Sequence, residues 1–226
     1  MINTKLVYNS FIIITMAVLA LLIYPDLDLS ISELFFRKNH GFIFAHNFVV
    51  QILFLAIPVI TALFCTLCSV IFIYLLVAKS SYALLRNKIL YLILAMIIGP
   101  GFVVNYIFKE NFGRARPCQI MEFESTKRFS PAFVITDQCE HNCSFSSGHA
   151  AMGVYFTAIA YYAPSYRNNK RFTTLYLLGI FFGVVVGGIR ILMGGHFLSD
   201  VLVSFLVVIS VNHILYLFFQ RRKWVK

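Results

Sequence analysis

The chain has 226 residues, of which 60% are hydrophobic and 12% charged, with a net charge of +10 and a mean hydropathy of +0.82. Soluble domains carry about 25% charged residues, so this composition excludes a soluble domain and describes an integral membrane protein. The positive charges stand at the ends of apolar segments, which points to anionic lipid and an anionic substrate as partners, not to nucleic acid.

Six apolar segments follow in order, each near the ~20 residues that a bilayer core requires. The first, Leu6–Tyr24, is read as a retained span and not a signal peptide, because Pro25-Asp26-Leu27-Asp28 follows it in place of a small-residue cleavage site. The second, Phe48–Ala78, is long enough to tilt or to extend past the membrane. The third is Ile89–Phe108. The fourth, Ala150–Ala163, is short and is expected to recruit Ser147-Gly148-His149 as its first turn. The fifth and sixth are Thr173–Met193 and Leu198–Phe219. Without repeats or low-complexity tracts, residues 1–226 are expected to form a single all-α membrane bundle of six transmembrane helices.

Lysine and arginine placement sets the expected orientation. Lys5, Lys79, Arg86, Lys88, Arg167, Lys170, Arg171, Arg221, Arg222, Lys223 and Lys226 fall on one side, eleven in all. Arg37, Lys38, Lys109, Arg114, Arg116, Lys127, Arg128 and Arg190 fall on the other, eight in all. The excess puts both termini in the cytoplasm and the loop of about 109–146 outside. Cys65 and Cys68 lie within the second segment and suit apolar packing. Cys118, Cys139 and Cys143 lie in the outer loop, where one disulfide with one thiol left over is expected. Cys139 to Cys143 is the preferred pair, since it would brace the approach to Ser147; a zinc site lacks a recognisable ligand spacing.

Three clusters carry chemistry. Lys109-Glu110-Asn111-Phe112-Gly113-Arg114-Ala115-Arg116-Pro117 closes the third segment. Lys109 and Arg116 are seven apart, two helical turns, so they are expected to share a face, and Pro117 biases Arg116 away from helical geometry and ends the segment there. The two cations suit a phosphate, arginine as a bidentate fork and lysine as a point charge; headgroup snorkelling gives the same pattern. Ser146-Ser147-Gly148-His149 opens the fourth segment, where backbone N–H groups at a helix start form an anion site. A simple N-cap beside an interfacial histidine uses the same residues. The third cluster runs from Arg190 through Gly194-Gly195-His196 to Asp200. Arg190 lies in an apolar run, where arginine is costly. On a helix, Asp200 would accept a hydrogen bond from the His196 imidazole and leave the other ring nitrogen free. Each cluster alone fits a structural role. Their placement on one side of the membrane points to catalysis.

Together, Lys109–Pro117, Ser147-Gly148-His149 and Arg190–Asp200 resemble the three-part signature of the type-2 phosphatidic acid phosphatases, relatives of the vanadium haloperoxidases. Ser146 stands where a proline is usual, and Ile189 where a serine precedes the arginine; the latter removes one hydroxyl contact to phosphate. The resemblance implies a dephosphorylation without metal or cofactor, through a phosphohistidine. His196 would attack phosphorus, with Asp200 holding its ring. His149 would protonate the leaving oxygen and then activate water. Lys109, Arg116 and Arg190, with the N–H groups around Ser147 and Gly148, would cradle the phosphoryl oxygens. Phosphoryl transfer is mostly positioning and charge neutralisation, which three fixed cations can supply.

Asp26-Leu27-Asp28-Leu29-Ser30-Ile31-Ser32-Glu33-Leu34-Phe35-Phe36 with Gly41-Phe42, and Cys139-Glu140-His141-Asn142-Cys143-Ser144-Phe145, look like the bacterial lipid A phosphatase branch. That likeness implies removal of the 1- or 4′-phosphate of lipid A at the periplasmic side of the inner membrane. Undecaprenyl pyrophosphate and phosphatidylglycerol phosphate are alternative substrates for the same chemistry. A phospholipid-binding or carrier protein is the non-enzyme alternative, although a carrier needs neither His149 nor His196. The sequence leaves the oligomeric state open.

Overall fold

The computed structural model describes residues 3–77, 82–162 and 169–222, with the side chain of Asn169 left aside. The expected segment ends at Ala78 and Ala163, and the basic residues Lys79, Arg167, Lys223 and Lys226, lie outside the described residues.

Helix α1 (Thr4–Ile23) starts at Asn3, whose side chain accepts the Leu6 N–H, and stops before Pro25. Proline cannot donate the next helical bond and turns the chain. The short α2 (Asp26–Glu33) carries Asp26 and Asp28 in its first turn, where the helix dipole favours negative charge. A small hairpin follows, β1 (Phe36–Arg37) against β2 (Gly41–Phe42), paired Phe36 to Phe42 and Arg37 to Gly41. Helix α3 (Phe48–Val77) has 30 residues, a length of about 45 Å that exceeds a ~30 Å bilayer core. Helix α4 (Ala83–Met96) runs on through a π-helical stretch, Ile97–Phe108, into α5 (Lys109–Asn111). Pro100 lies in that stretch, and Asn105 Nδ2 donates to the Pro100 carbonyl at 2.9 Å. Helix α6 (Gly148–Tyr155) continues as a 3-10 helix, Phe156–Tyr162. Helices α7 (Asn169–Leu192) and α8 (Leu198–Arg221) complete the bundle.

Among the described residues five helical runs are long and apolar enough to cross a membrane: Thr4–Ile23, Phe48–Val77, Ala83–Asn111, Lys170–Leu192 and Leu198–Arg221. Large apolar side chains such as Ile13, Leu63, Ile73, Phe181 and Ile214 are exposed on them. Exposed apolar surface on this scale has lipid as its solvent, and the protein is a helical membrane protein. The expected fourth segment is the short α6 with its 3-10 extension, and it is the interior of the bundle: Ala150, Ala151, Val154, Tyr155, Ala158 and Ala160 are buried.

That burial follows from small residues. A Cβ on Gly153 would stand 3.0 Å from Gly183 Cα, and one on Gly179 would stand 2.6 Å from the Thr157 backbone nitrogen. Gly179, Gly183 and Gly187 recur every fourth residue, so they share one face of α7 and let α6 and α8 approach its backbone. Close approach of this kind supplies the packing contacts that a lipid environment does not provide through the hydrophobic effect.

The residues between α5 and α6 form a cap over one end of the bundle. Gly113, at φ +63, turns the chain where a Cβ would lie 1.8 Å from the Thr136 carbonyl oxygen. Phe36, Phe42 and Phe123 pack with centroids 5.1 to 5.5 Å apart and tie the hairpin to this cap.

Candidate active site

All three clusters meet at the capped end. Ser147 N–H donates to the Asp200 carbonyl at 3.3 Å, Cys118 N–H to the Gly194 carbonyl at 3.0 Å, and Ser144 N–H to the Arg114 carbonyl at 2.8 Å. The end of α5, the start of α6, the end of α7 and the start of α8 therefore meet at one site.

Ser147 is the N-cap of α6, its hydroxyl accepting the Ala150 N–H at 3.4 Å. Gly148 follows as the first helical residue, and a Cβ there would lie 3.6 Å from Lys109 Nζ and 2.6 Å from Asn105 Oδ1. The missing side chain makes room for the Asn105 amide, and Lys109 Nζ stands at ordinary contact distance beside the helix N-terminus, where an anion is favoured. Gly195 does the same for Arg190: a Cβ would stand 2.2 Å from Arg190 Nη2. Lys109 and Arg190 are 8% and 4% exposed.

Lys109 and Arg116 do not share a helix. The helical run ends at Asn111, Gly113 reverses the chain, and Arg116 has extended backbone geometry. Arg116 instead reaches back from the cap, its Nη2 donating to the Asn142 carbonyl at 2.8 Å. His196 is not on a helix either, since α8 begins at Leu198. Asp200 folds back over the start of α8, where its Oδ2 accepts the Phe197 N–H at 2.9 Å. His196 Nδ1 lies 3.6 Å from that oxygen, too long for a direct hydrogen bond. Ser144 stands between them, donating to Asp200 Oδ2 at 2.6 Å and lying 3.4 Å from His196 Nδ1.

Nε2 of His149, Nε2 of His196 and Nε of Arg190 are buried without a hydrogen-bond partner among the described residues. Buried polar atoms are ordinarily satisfied, so three unsatisfied donors or acceptors at one site mark where a ligand's polar atoms belong. His196 lies within electrostatic range of Asp200, Arg190 and Lys109, and His149 of Arg190, Lys109 and Arg116. Burial holds the pKa of His196 well below the ordinary histidine value, with Asp200 opposing, so the ring is neutral with a free lone pair.

Sequence reasoning assigned no role to four neighbours of this site. Ser144 bridges His196 and Asp200. Phe54, on α3, stacks on the His149 ring with centroids 4.6 Å apart and lies 4.6 Å beneath the Arg190 guanidinium. Arg114 Nη1 donates to Asp200 Oδ1 at 2.6 Å, and Arg114 Nη2 meets Asp28 Oδ2 at 2.9 Å. Arg114 was visible as a cation inside the first cluster; Ser144, Phe54 and Asp28 carry no spacing signal. Cys139 and Cys143 form a disulfide with Cα atoms 5.6 Å apart, one residue before Ser144, and Cys118 is a free, exposed thiol. Among the described residues no group of three or more His, Cys, Asp or Glu side chains could hold a metal ion.

Residues 88–224 match the model of the PAP2 superfamily. The chain belongs to the PAP2 superfamily. It is 33% identical over 212 residues to the lipid A 4′-phosphatase of Francisella tularensis subsp. novicida (strain U112), covering 89% of this chain and 90% of that protein. It is 32% identical over 111 residues to the lipid A 4′-phosphatase of Rhizobium leguminosarum, covering 49% of this chain and 46% of that protein. No solved structure matches the chain. Within this PAP2 chain all three clusters fall inside the matched residues, whereas Asp28 and Phe54 lie before them.

Proposed function

We propose that this protein is an integral-membrane phosphatase that removes the 4′-phosphate of lipid A by way of a phosphorylated His196. The observation that carries the mechanism is the pair of unpartnered imidazole Nε2 atoms beside Lys109, Arg116 and Arg190. The substrate follows from likeness to a lipid A 4′-phosphatase along 89% of the chain.

In the first step the lone pair on His196 Nε2 forms a bond to phosphorus. The ester P–O bond breaks, its electron pair goes to the lipid oxygen, and His149 supplies the proton. Positive charge then spreads over the His196 ring, and Asp200 is the carboxylate that meets it. In the second step His149 takes a proton from water, whose oxygen attacks phosphorus and restores the free imidazole. Lys109, Arg116, Arg190 and the N–H groups at the start of α6 neutralise the equatorial oxygens throughout. The phosphate dianion is itself the negative partner of a protonated His149.

On this reading the site lies at the periplasmic side of a bacterial inner membrane, with α6 and its 3-10 extension as a sixth crossing and both termini cytoplasmic. The test is mass spectrometry of lipid A from cells with and without the gene, and with His196→Ala. Loss of one phosphate, located at the 4′ position, is expected with the wild-type gene alone and in EDTA-treated membranes. Unchanged lipid A beside an altered undecaprenyl or phosphatidylglycerol phosphate pool would overturn the substrate. Metal-restored activity after chelation would overturn the mechanism.

A further inference from the structure

The phosphohistidine scheme leaves one buried ionic group without a task. Asp28, in the first turn of α2, is separated from Ser199 by 171 residues, yet its Oδ1 accepts the Ser199 backbone N–H at 2.9 Å and its Oδ2 accepts the Ser199 hydroxyl. The same Oδ2 receives Arg114 Nη2 at 2.9 Å. Arg114 directs Nη1 to Asp200 Oδ1 at 2.6 Å and to Ser199 Oγ at 2.8 Å, and Nε to the Ser130 carbonyl at 2.8 Å. Its guanidinium lies 4.2 Å over the Phe197 ring. Asp28, Arg114 and Ser199 are each 1% exposed, and Asp200 is fully buried.

The charge count in this enclosure is unbalanced, with two carboxylates and one guanidinium. Buried ionic groups are costly unless their charge is used or matched. Were Arg114 bound to Asp200 alone, that pair would be neutral toward the neighbouring imidazole. Asp28 takes the other edge of the guanidinium and so leaves Asp200 with negative charge to offer. The segment that carries Asp28 also holds the His196 turn from a second direction. Gly194, at φ +65, has no room for a Cβ because the Phe42 ring would lie 2.4 Å from it.

We propose that Asp28 is a positioning residue of the phosphoryl transfer: through Arg114 and Ser199 it orients Asp200 and leaves that carboxylate free to stabilise the imidazolium that forms on His196. The inference rests on His196 as the nucleophile. The sequence segment from Asp26 to Phe42 thereby has a task at the catalytic centre, although it lies outside the matched PAP2 residues.

The test compares wild type, Asp28→Asn, Ser199→Ala and His196→Ala as full-length protein in detergent, with lipid A in mixed micelles as substrate. Rates are normalised to the folded fraction, measured by gel filtration and thermal melting. Asp28→Asn and Ser199→Ala are expected to lose kcat by about ten- to a hundred-fold, the range for partners that act through another residue, with KM changed less than about twofold. A purely structural Asp28 would lower the melting temperature and leave kcat per folded molecule intact, which overturns the proposal. A loss confined to KM overturns it as well, since it places Asp28 in binding. If Asp28→Asn does not fold, Ser199→Ala decides by the same split. Turnover by His196→Ala would sink the nucleophile assignment itself; an inert His196→Ala beside an unaffected Asp28→Asn sinks only the role of Asp28.

Discussion

His196 is constrained on one edge and free on the other. Nδ1 faces Ser144 and Asp200, while Nε2 has no hydrogen-bond partner among the described residues. This asymmetry selects the tautomer with the proton on Nδ1 and the lone pair on Nε2. It also has a thermodynamic consequence. Burial lowers the pKa of His196 in the folded protein, whereas the unfolded chain takes up a proton at about pH 6.5. The unfolded state then binds more protons as pH falls, so the contribution is fully present above that pH and is lost below it. His196→Gln is expected to lose melting temperature less steeply than wild type between about pH 7 and 5. Equal slopes would mean that the folded ring carries a proton. The spacing of His196 and Asp200 was legible, but the geometry behind it was not. Their four-residue interval suits a helix face, and the structure achieves the proximity with an extended residue, Phe197, and a carboxylate folded over the helix start.

At the scale of elements, glycines decide how closely charge and backbone approach. Gly195 admits the Arg190 guanidinium, and Gly148 admits the Asn105 amide next to Lys109. Gly195→Ala is expected to displace Arg190 by about an ångström and to reduce kcat/KM by about a hundred-fold, the cost of such a misplacement, with the melting temperature little changed. Steady-state kinetics and a thermal melt check it; wild-type kinetics would show that Arg190 does not need that approach. Gly113→Ala should behave in the opposite way. Its Cβ would collide with the Thr136 carbonyl, and the left-handed backbone alone costs about 1–2 kcal/mol. The expected outcome is a lower melting temperature and lower yield, with kcat per folded molecule preserved. The shortest of the expected apolar segments, which forms α6 and its 3-10 extension, is the best buried. Hydropathy reports contact with lipid, and α6 contacts other helices through small residues.

At the scale of the whole molecule, the orientation in the membrane gives the next prediction. Cys118 is exposed on the cap, whereas Cys65 and Cys68 lie in α3 and Cys139 is paired with Cys143. A membrane-impermeant maleimide added to spheroplasts is expected to label the protein once, and Cys118→Ser should abolish the labelling. Labelling that requires lysis would place the cap in the cytoplasm. The amino-acid sequence alone determined the membrane class, most of the helical segments and the residues of the three clusters. Composition, apolar run length and local spacing are properties of neighbouring residues, and the chain carries them before it folds. Only the tertiary structure decided that Asp28 and Arg114 join Asp200, that Ser144 stands between Asp200 and His196, and that Phe54 lies under both His149 and Arg190. Those partners are brought together from distant parts of the chain by helix packing, and a buried charge or an unpaired nitrogen acquires its meaning only from what surrounds it.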